Sequence, residues 1–438
     1  MLELMLRNHP QRDMAEKELQ QRFFPALTAP CQICHFMLTV NAASRDSEFA
    51  ALKQLANAQQ VPFHETDTDL SLAFAEVKLR YERHSEFSTY SFIRPGPSLQ
   101  FSQPQEFLPF PDFFQQIPGQ LFRVVQLNIV NAAREAPAEV TEQLTTLAPQ
   151  MATPNWQQYF ASEHCISSLL CNQQAQVWTD FRKHPEGGGR MLLMDFGLSA
   201  SALARLVQQL FDLGNYRKLS LLSWPLVRQS LSRLHQLEQQ LSDITQRIEQ
   251  QQGSDEQLLR EITQMTAQTE HLIANNSARI EASAAYYQLT LDRLKSLRET
   301  PVDGMMSLQD FSERRLTPAF RTAQSVLSRQ LSLSNRLGRS TELLRTRVNL
   351  QLERQNTELL ASMEQRARLQ LSLQTAVERL SVVALSYYAV QLVDKALYSI
   401  HGWFAQLPLQ LLQTLSLPAV IVIVAWLLYR LRRAHQQH

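Results

Sequence analysis

Two hydrophobic rhythms divide this chain near residue 198. Before it, short apolar runs alternate with turn-rich stretches. "CQICHFMLTV" from Cys31 is rich in β-branched and aromatic residues and predicts a strand. "SRDSEFAALKQLANAQQ" has helical spacing, and "LSLAFAEVKLRYER" with "EFSTYSFIRPG" predicts a hairpin. The order then recurs. "LFRVVQLNIVNAA" repeats the strand and its ending, Val40-Asn41-Ala42-Ala43 against Val130-Asn131-Ala132-Ala133. "AEVTEQLTTLA" predicts a helix, and "CISSLLCNQQAQVWTDFRKH" two more strands. Aligning "STYSF" with "VWTDF" gives two βαββ-like halves, a duplicated α/β domain over residues 1–198 of an α+β fold.

From Ser199 onward the period becomes helical and strand signals stop. Leu234, Leu237, Leu241, Ile244 and Ile248 keep a 3-4-3-4 spacing, the seam of a helical hairpin or coiled coil over 199–304. Gly253 ends one helix, and Ser254 with Gln257 forms a capping box for the next. "ETPVDG" is a second break, after which Ser307 caps a new helix that Pro318 kinks or restarts. No proline follows until Pro408, and Gly338 is the one glycine before Gly402. At about 1.5 Å per residue, a helix from Pro318 to Tyr398 would reach roughly 120 Å, which makes 305–379 a stalk. Its leucines and charges suit packing against the hairpin or other subunits, so a homo-oligomer is expected.

The stalk runs into apolar sequence. Leu380 to Val393 is uncharged, then Asp394 and Lys395 appear, and no further charge precedes Arg430. Leu411 to Tyr429 is 19 residues, close to the ~20 that a bilayer span requires. Arg430, Arg432 and Arg433 follow it, and by the positive-inside rule they put the C-terminus in the cytoplasm. "MLELMLRN" lacks the features of a signal peptide, so the N-terminal domain is expected there too. Both ends on one side require two crossings: two transmembrane helices over 380–431, a short periplasmic loop, and a basic tail at 432–438. Tyr387, Gln391, Asp394 and Tyr398 share one helical face. That face either turns toward a bundle or pore, or lets Asp394 and Lys395 reach the outer interface.

Composition narrows the function. A net charge of +1 gives no basic surplus for nucleic acid, and 11 glycines leave little for phosphate-cradling loops. Cys31 and Cys34 fall on opposite faces of a strand; with Cys165 and Cys171 they read as buried thiols, and no metal site is expected. "MDFGLSAS" lacks the other kinase motifs: Asp195 and Gly197 end a strand, and Ser199 caps the next helix. "HPEGGGR", His184 to Arg190, lacks the rest of a P-loop and reads as a hairpin loop. No catalytic constellation or cofactor motif emerges, so an enzyme is not expected. One polar cluster stands out. Glu82, Arg83, His84 and Glu86 crowd a predicted turn that could bind a cation or anion, or form a solvated, salt-bridged loop.

Several segments resemble the bacterial membrane-anchored family called domain of unknown function 3422. They are "LRYERHSEFSTYSF", "QVWTDFRKH", "YRKLSLLSWPL", "ASAAYYQLTLDRLKSLRE", "ELLRTRVNLQLERQN" and "ASMEQRARLQLSLQTAVERLSVVALSYYAV". Where the family has "HARPF", this chain has "QQRFF", keeping Arg22 but placing Gln20 at the histidine position. The resemblance implies an inner-membrane location and no established activity. The architecture is also similar to CorA-type magnesium transporters, though "YSIHGWF" replaces their Gly-Met-Asn signature. Two functions follow as expectations. One is a membrane-anchored protein presenting an α/β domain to a ligand or partner. The other is an ion pathway lined by the first span.

Overall fold

A computed structural model of the chain describes residues 9–12, 15–16, 24–64, 67–96, 100–131, 159–160, 165–401 and 409–435. The fold is mixed α and β, with one large sheet and a long C-terminal helix. In chain order the elements are β1 (Cys31–Thr39), α1 (Arg45–Ala58), β2 (Asp69–Ala73), β3 (Lys78–Arg83), β4 (Phe87–Pro95) and β5 (Gln120–Asn131). Then come β6 (Ile166–Leu170), β7 (Ala175–Thr179), β8 (Gly189–Asp195), α2 (Ala200–Leu219), α3 (Trp224–Glu249), α4 (Asp255–Ser296), β9 (Thr300–Pro301), α5 (Leu308–His401) and α6 (Leu409–His435).

The strands form a single sheet in the order β2-β3-β4-β1-β5-β8-β7-β6-β9. β1 lies between β4 and β5 and is buried through its first eight residues, which is why it reads as a continuous apolar run rather than an alternating one. Cys31 and Ile33 pack in one core, Cys34, Phe36 and Leu38 in the other, so the two thiols do occupy opposite faces. Burial raises both, Cys31 to about 11 and Cys34 further.

The strand pairing does not show the expected duplication of two βαββ-like halves. Each half places its strands in the same order, β1-β4-β3-β2 and β5-β8-β7-β6, but β4 is antiparallel to β1 whereas β8 is parallel to β5. "STYSF" lies in β4 beside β1, whereas "VWTDF" closes β7, two strands from β5, so those segments are not equivalent. "LSLAFAEVKLRYER" is itself a hairpin, β2 with β3, and β4 makes the meander three-stranded. The helix expected in "AEVTEQLTTLA" lies outside the described residues, as do Gln20 and Arg22.

The helical half keeps its caps. Ser199 accepts from the Ala202 N–H, Ser254 from Gln257 and Ser307 from Asp310, each at 3.0–3.3 Å. Leu234, Leu237, Leu241 and Ile244 are buried along α3, and Ile248 half-buried. α5 joins α3 and α4: Asn276 donates to Ser230 at 2.7 Å, Arg329 pairs with Glu238 at 2.6 Å, and Tyr287 stacks on Phe320. Pro318 stands within continuous α5, so the helix starts at Leu308. One strand does follow Ser199. "ETPVDG" carries β9, which pairs with β6. Beside it the Glu299 carboxylate accepts from the Leu308 and Gln309 N–H groups at 2.6 and 3.0 Å and from the Ser168 hydroxyl.

The chain forms two compact units, Met1–Arg247 with Ile262–Gly338, and Ile248–Glu261 with Arg339–His438. In the first, α2, the end of α4 and Leu308 share one core with the sheet. In the second, no residue of α5 between Leu344 and Ser386 is buried. Among the described residues one helix, α5, is long and apolar enough to cross a membrane; Thr414–Leu427 of α6 is a shorter apolar stretch.

Candidate functional site: a basic pocket at one end of the central strands

The turn cluster expected to bind a ligand is already partitioned. Glu82 points back along β3 and is buried against Arg80 at 3.3 Å; burial, partly offset by Arg80 and reinforced by Asp212, raises it to about 7. Glu86 accepts both guanidinium nitrogens of Arg279 at 2.8 and 2.9 Å and the Tyr286 hydroxyl at 3.1 Å, which fastens the turn to α4. His84 stacks on Phe87, and Arg45 donates to the His84 and Ser85 carbonyls. Arg83 ends β3 with its N–H on the Thr68 carbonyl.

On α5, Gln391 donates to the Tyr387 hydroxyl at 2.8 Å, and Tyr387 and Tyr398 are exposed. Asp394 stands at the edge of that face, its Oδ1 covered and without a hydrogen-bond partner. Arg430 lies over the Trp426 ring, and Arg432 and Arg433 follow on the last turns of α6.

Another set of residues converges. Three segments bound a pocket of about 190 Å³: the first half of β5, the residues from Thr179 through the β7–β8 loop, and the last turn of α2. The β5–β8 ladder begins only at Val125, so Leu121–Val124 run along the pocket beyond β8. "HPEGGGR" is the hairpin loop the sequence indicated, its His184 N–H on the Gly188 carbonyl at 2.8 Å. Gly188 lies against Val124, where a Cβ would come within 3.3 Å of a methyl group.

Six residues of the lining are basic and none is acidic: Arg123, Arg182, Lys183, Arg190, Arg217 and Lys218. Of the nearby carboxylates, Glu186 pairs with Arg190 of the lining itself at 2.5 Å, while Asp180 faces His184 at 3.0 Å and Asp212 pairs with Arg293 at 3.1 Å. Among the described residues no carboxylate lies within salt-bridge distance of Arg123, Arg182, Lys183, Arg217 or Lys218.

Arg123 is placed by a buried relay. Its Nη1 donates to Asn215 Oδ1 at 2.8 Å and to the Phe211 carbonyl at 3.3 Å. Asn215 Nδ2 donates to His35 Nε2 at 3.1 Å, leaving His35 Nδ1 to donate to Ser91 Oγ at 2.8 Å. Burial and the Arg123 charge hold His35 well below its usual range, which fits this neutral tautomer. Gly214 admits the guanidinium: a Cβ there would come within 2.2 Å of Arg123 Nη2. A mid-helix glycine costs about 1 kcal/mol relative to alanine, so α2 is weakened where Arg123 needs space.

Arg217 lies face-on to Phe181, 3.3 Å from the ring centroid, which fixes the guanidinium without neutralising it. Its Nη1 is buried with no hydrogen-bond partner. Burial and the Arg123 charge pull Arg217 down to about 9. Lys218 stands at the rim. Desolvation and the charges of Arg123, Arg217 and Lys183 pull it down to about 8. The carbonyl end of α2 offsets part of this repulsion. No motif announced the pocket, since its cations come from three distant segments; "FDLGNYRK", a glycine in a helix ahead of Arg-Lys, was the nearest signal.

Fold and pocket together define a mixed α and β unit carrying a pocket lined by basic side chains. The chain belongs to the family described as "Protein of unknown function (DUF3422)", whose model matches residues 7–435. No curated protein and no solved structure matches it.

Proposed function

We propose that this protein is a membrane-anchored, oligomeric binding protein whose α/β unit receives a ligand on the cytoplasmic side of the bacterial inner membrane. The observation that carries this reading is the course of α5. It starts against the sheet, held by Glu299 and Ser168, and ends in an apolar run where Leu380, Val383 and Leu392 are 73%, 68% and 69% exposed. Water is a poor solvent for such a surface, and a bilayer is the medium that suits it. α6 serves as the second crossing, with Arg430, Arg432 and Arg433 at its cytoplasmic end. Ahead of the membrane, Leu352, Leu359, Met363 and Leu373 are exposed on a helix that buries no residue of its own there, and the α5 of a second copy is the proposed cover.

Alkaline extraction of membranes tests the anchor. The full chain should stay with the membrane pellet and a chain ending at Arg379 should be released. A full chain released with the soluble fraction would end the reading.

A second reading has its own observation. Asp394 carries a covered, unpartnered carboxylate oxygen on an apolar segment, beside the hydrogen-bonded Tyr387 and Gln391. An intramembrane carboxylate of this kind suits a CorA-like ion pathway lined by α5. Ion flux into proteoliposomes, lost on Asp394→Asn and Gln391→Leu, would favour it; flux unaltered by both changes would discard it.

A further inference from the structure

We propose that the pocket between β5, the β7–β8 loop and the last turn of α2 binds a phosphate group, with Arg217 and Lys218 as its direct partners and Arg182 and Lys183 at its mouth. The proposal rests on reading the α/β unit as the ligand-receiving part, and it names the chemistry of that ligand.

Charge is the first argument. A chain with a net charge of +1 has gathered six cationic side chains around one small concavity, and of these Arg190 alone is paired with a carboxylate, Glu186. Their mutual repulsion destabilises the empty pocket and is relieved when a dianion enters. Phosphate monoesters carry about −1.5 to −2 at neutral pH, against −1 for a carboxylate, so phosphate gains more from the same field.

Preorganisation is the second. Phe181 holds the Arg217 plane, and the buried Nη1 awaits an acceptor. The fork of N–H groups on a guanidinium matches the spacing of phosphate oxygens. Arg123, committed to Asn215 and Phe211, acts through its field rather than by contact. At the rim Lys218 Nζ donates to the Phe122 carbonyl at 3.4 Å, a long hydrogen bond that an entering anion would replace.

Size is the third. About 190 Å³ is below the ~300–1,000 Å³ of pockets that enclose drug-sized molecules, so the pocket suits one phosphate group with the remainder of any ester outside. Free phosphate, a phosphorylated metabolite and a lipid headgroup share this chemistry.

Thermal unfolding of the full chain in neutral detergent, with potassium phosphate against potassium acetate at matched ionic strength, is the test. Glycerol phosphate and a short-chain phosphatidate form two further arms. A saturable rise in Tm with any of the three phosphates, absent with acetate, is expected. The arm with the lowest saturating concentration identifies the source. Lys218→Gln removes one of the mutually repelling charges, so the Tm in acetate should hold or rise slightly while the phosphate response weakens at least about tenfold; Arg217→Gln should weaken the response likewise. The proposal is overturned if none of the three phosphates raises Tm, or if both variants respond as the parent does. Either result leaves membrane attachment, tested by extraction, untouched.

Discussion

Replacing Glu299 with alanine should loosen the start of α5 without unfolding the sheet. The Glu299 carboxylate accepts from the Leu308 and Gln309 N–H groups and from the Ser168 hydroxyl. These are orphan donors of a helix N-terminus, and hydrogen bonds to a charged acceptor contribute about 1.5–3 kcal/mol. The loss is not additive. Leu308 N–H retains Ser168 Oγ at 3.1 Å, and Gln309 N–H can turn to water because that position is exposed. Ser307 continues to cap through Asp310 N–H. The net effect should therefore resemble one lost charged cap, about 1.5–2 kcal/mol. Hydrogen exchange reads it locally. Protection of the amides from Leu308 to Phe311 should fall about tenfold or somewhat more, since about 1.4 kcal/mol is a factor of ten. Glu299→Gln, which keeps one acceptor oxygen, should fall less. Protection unchanged in Glu299→Ala would refute the idea that this carboxylate fastens the helix to the sheet.

Gly214→Ala should displace Arg123, and the resulting overpacking should destabilise the first unit by about 1–3 kcal/mol despite the better helix former; a variant as stable as the parent in urea would mean that Arg123 has other room. Glu82 has a folded pKa raised from 4.5 to about 7, so the folded state holds a proton there that the unfolded chain lacks, and stability should decline as pH rises through that interval. In Glu82→Gln that decline should flatten in a pH series of melting curves; an unaltered slope would assign it to another group. Phosphate binding should be strongest between about 6, where a monoester gains its second charge, and about 8, where Lys218 loses its own, and titration calorimetry across that range should trace the optimum. Glu86→Gln breaks a bidentate pair one-third exposed, and a loss of about 1 kcal/mol or less is expected from chemical denaturation.

What the residues disclosed, and what they withheld, follows from range. β1 was legible because a strand covered on both faces must be apolar throughout, and the caps at Ser199, Ser254 and Ser307 because their chemistry is local. The leucine seam of α3 and the long uninterrupted α5 were legible for the same reason: period and the absence of breakers are properties of the segment itself. β9 was hidden because two residues have no period, and pairing with β6 decides their state. A short Val-Asn-Ala-Ala match says little about duplication, since strand polarity, which differs between β1–β4 and β5–β8, leaves no mark in such a motif. The turn at Glu82–Glu86 appeared as a free polar cluster because Arg279 and Tyr286, which occupy Glu86, lie far along the chain. Arg123, Arg217 and Lys218 each look like an ordinary surface cation until the sheet and α2 bring them together. Gly214 alone hinted at that approach, as a residue a helix would not choose.

The central claim is that α5 passes from water into lipid along its length, and depth-dependent fluorescence quenching in reconstituted vesicles tests it most directly. Leu359 and Val383 are both exposed on this helix, at 59% and 68%, so a fluorophore attached through an introduced cysteine displaces no buried contact within the chain at either position. Nitroxide-labelled lipid should quench the label at position 383 strongly and leave the label at position 359 in water unquenched. Equal, weak quenching at both positions would contradict membrane anchoring through α5.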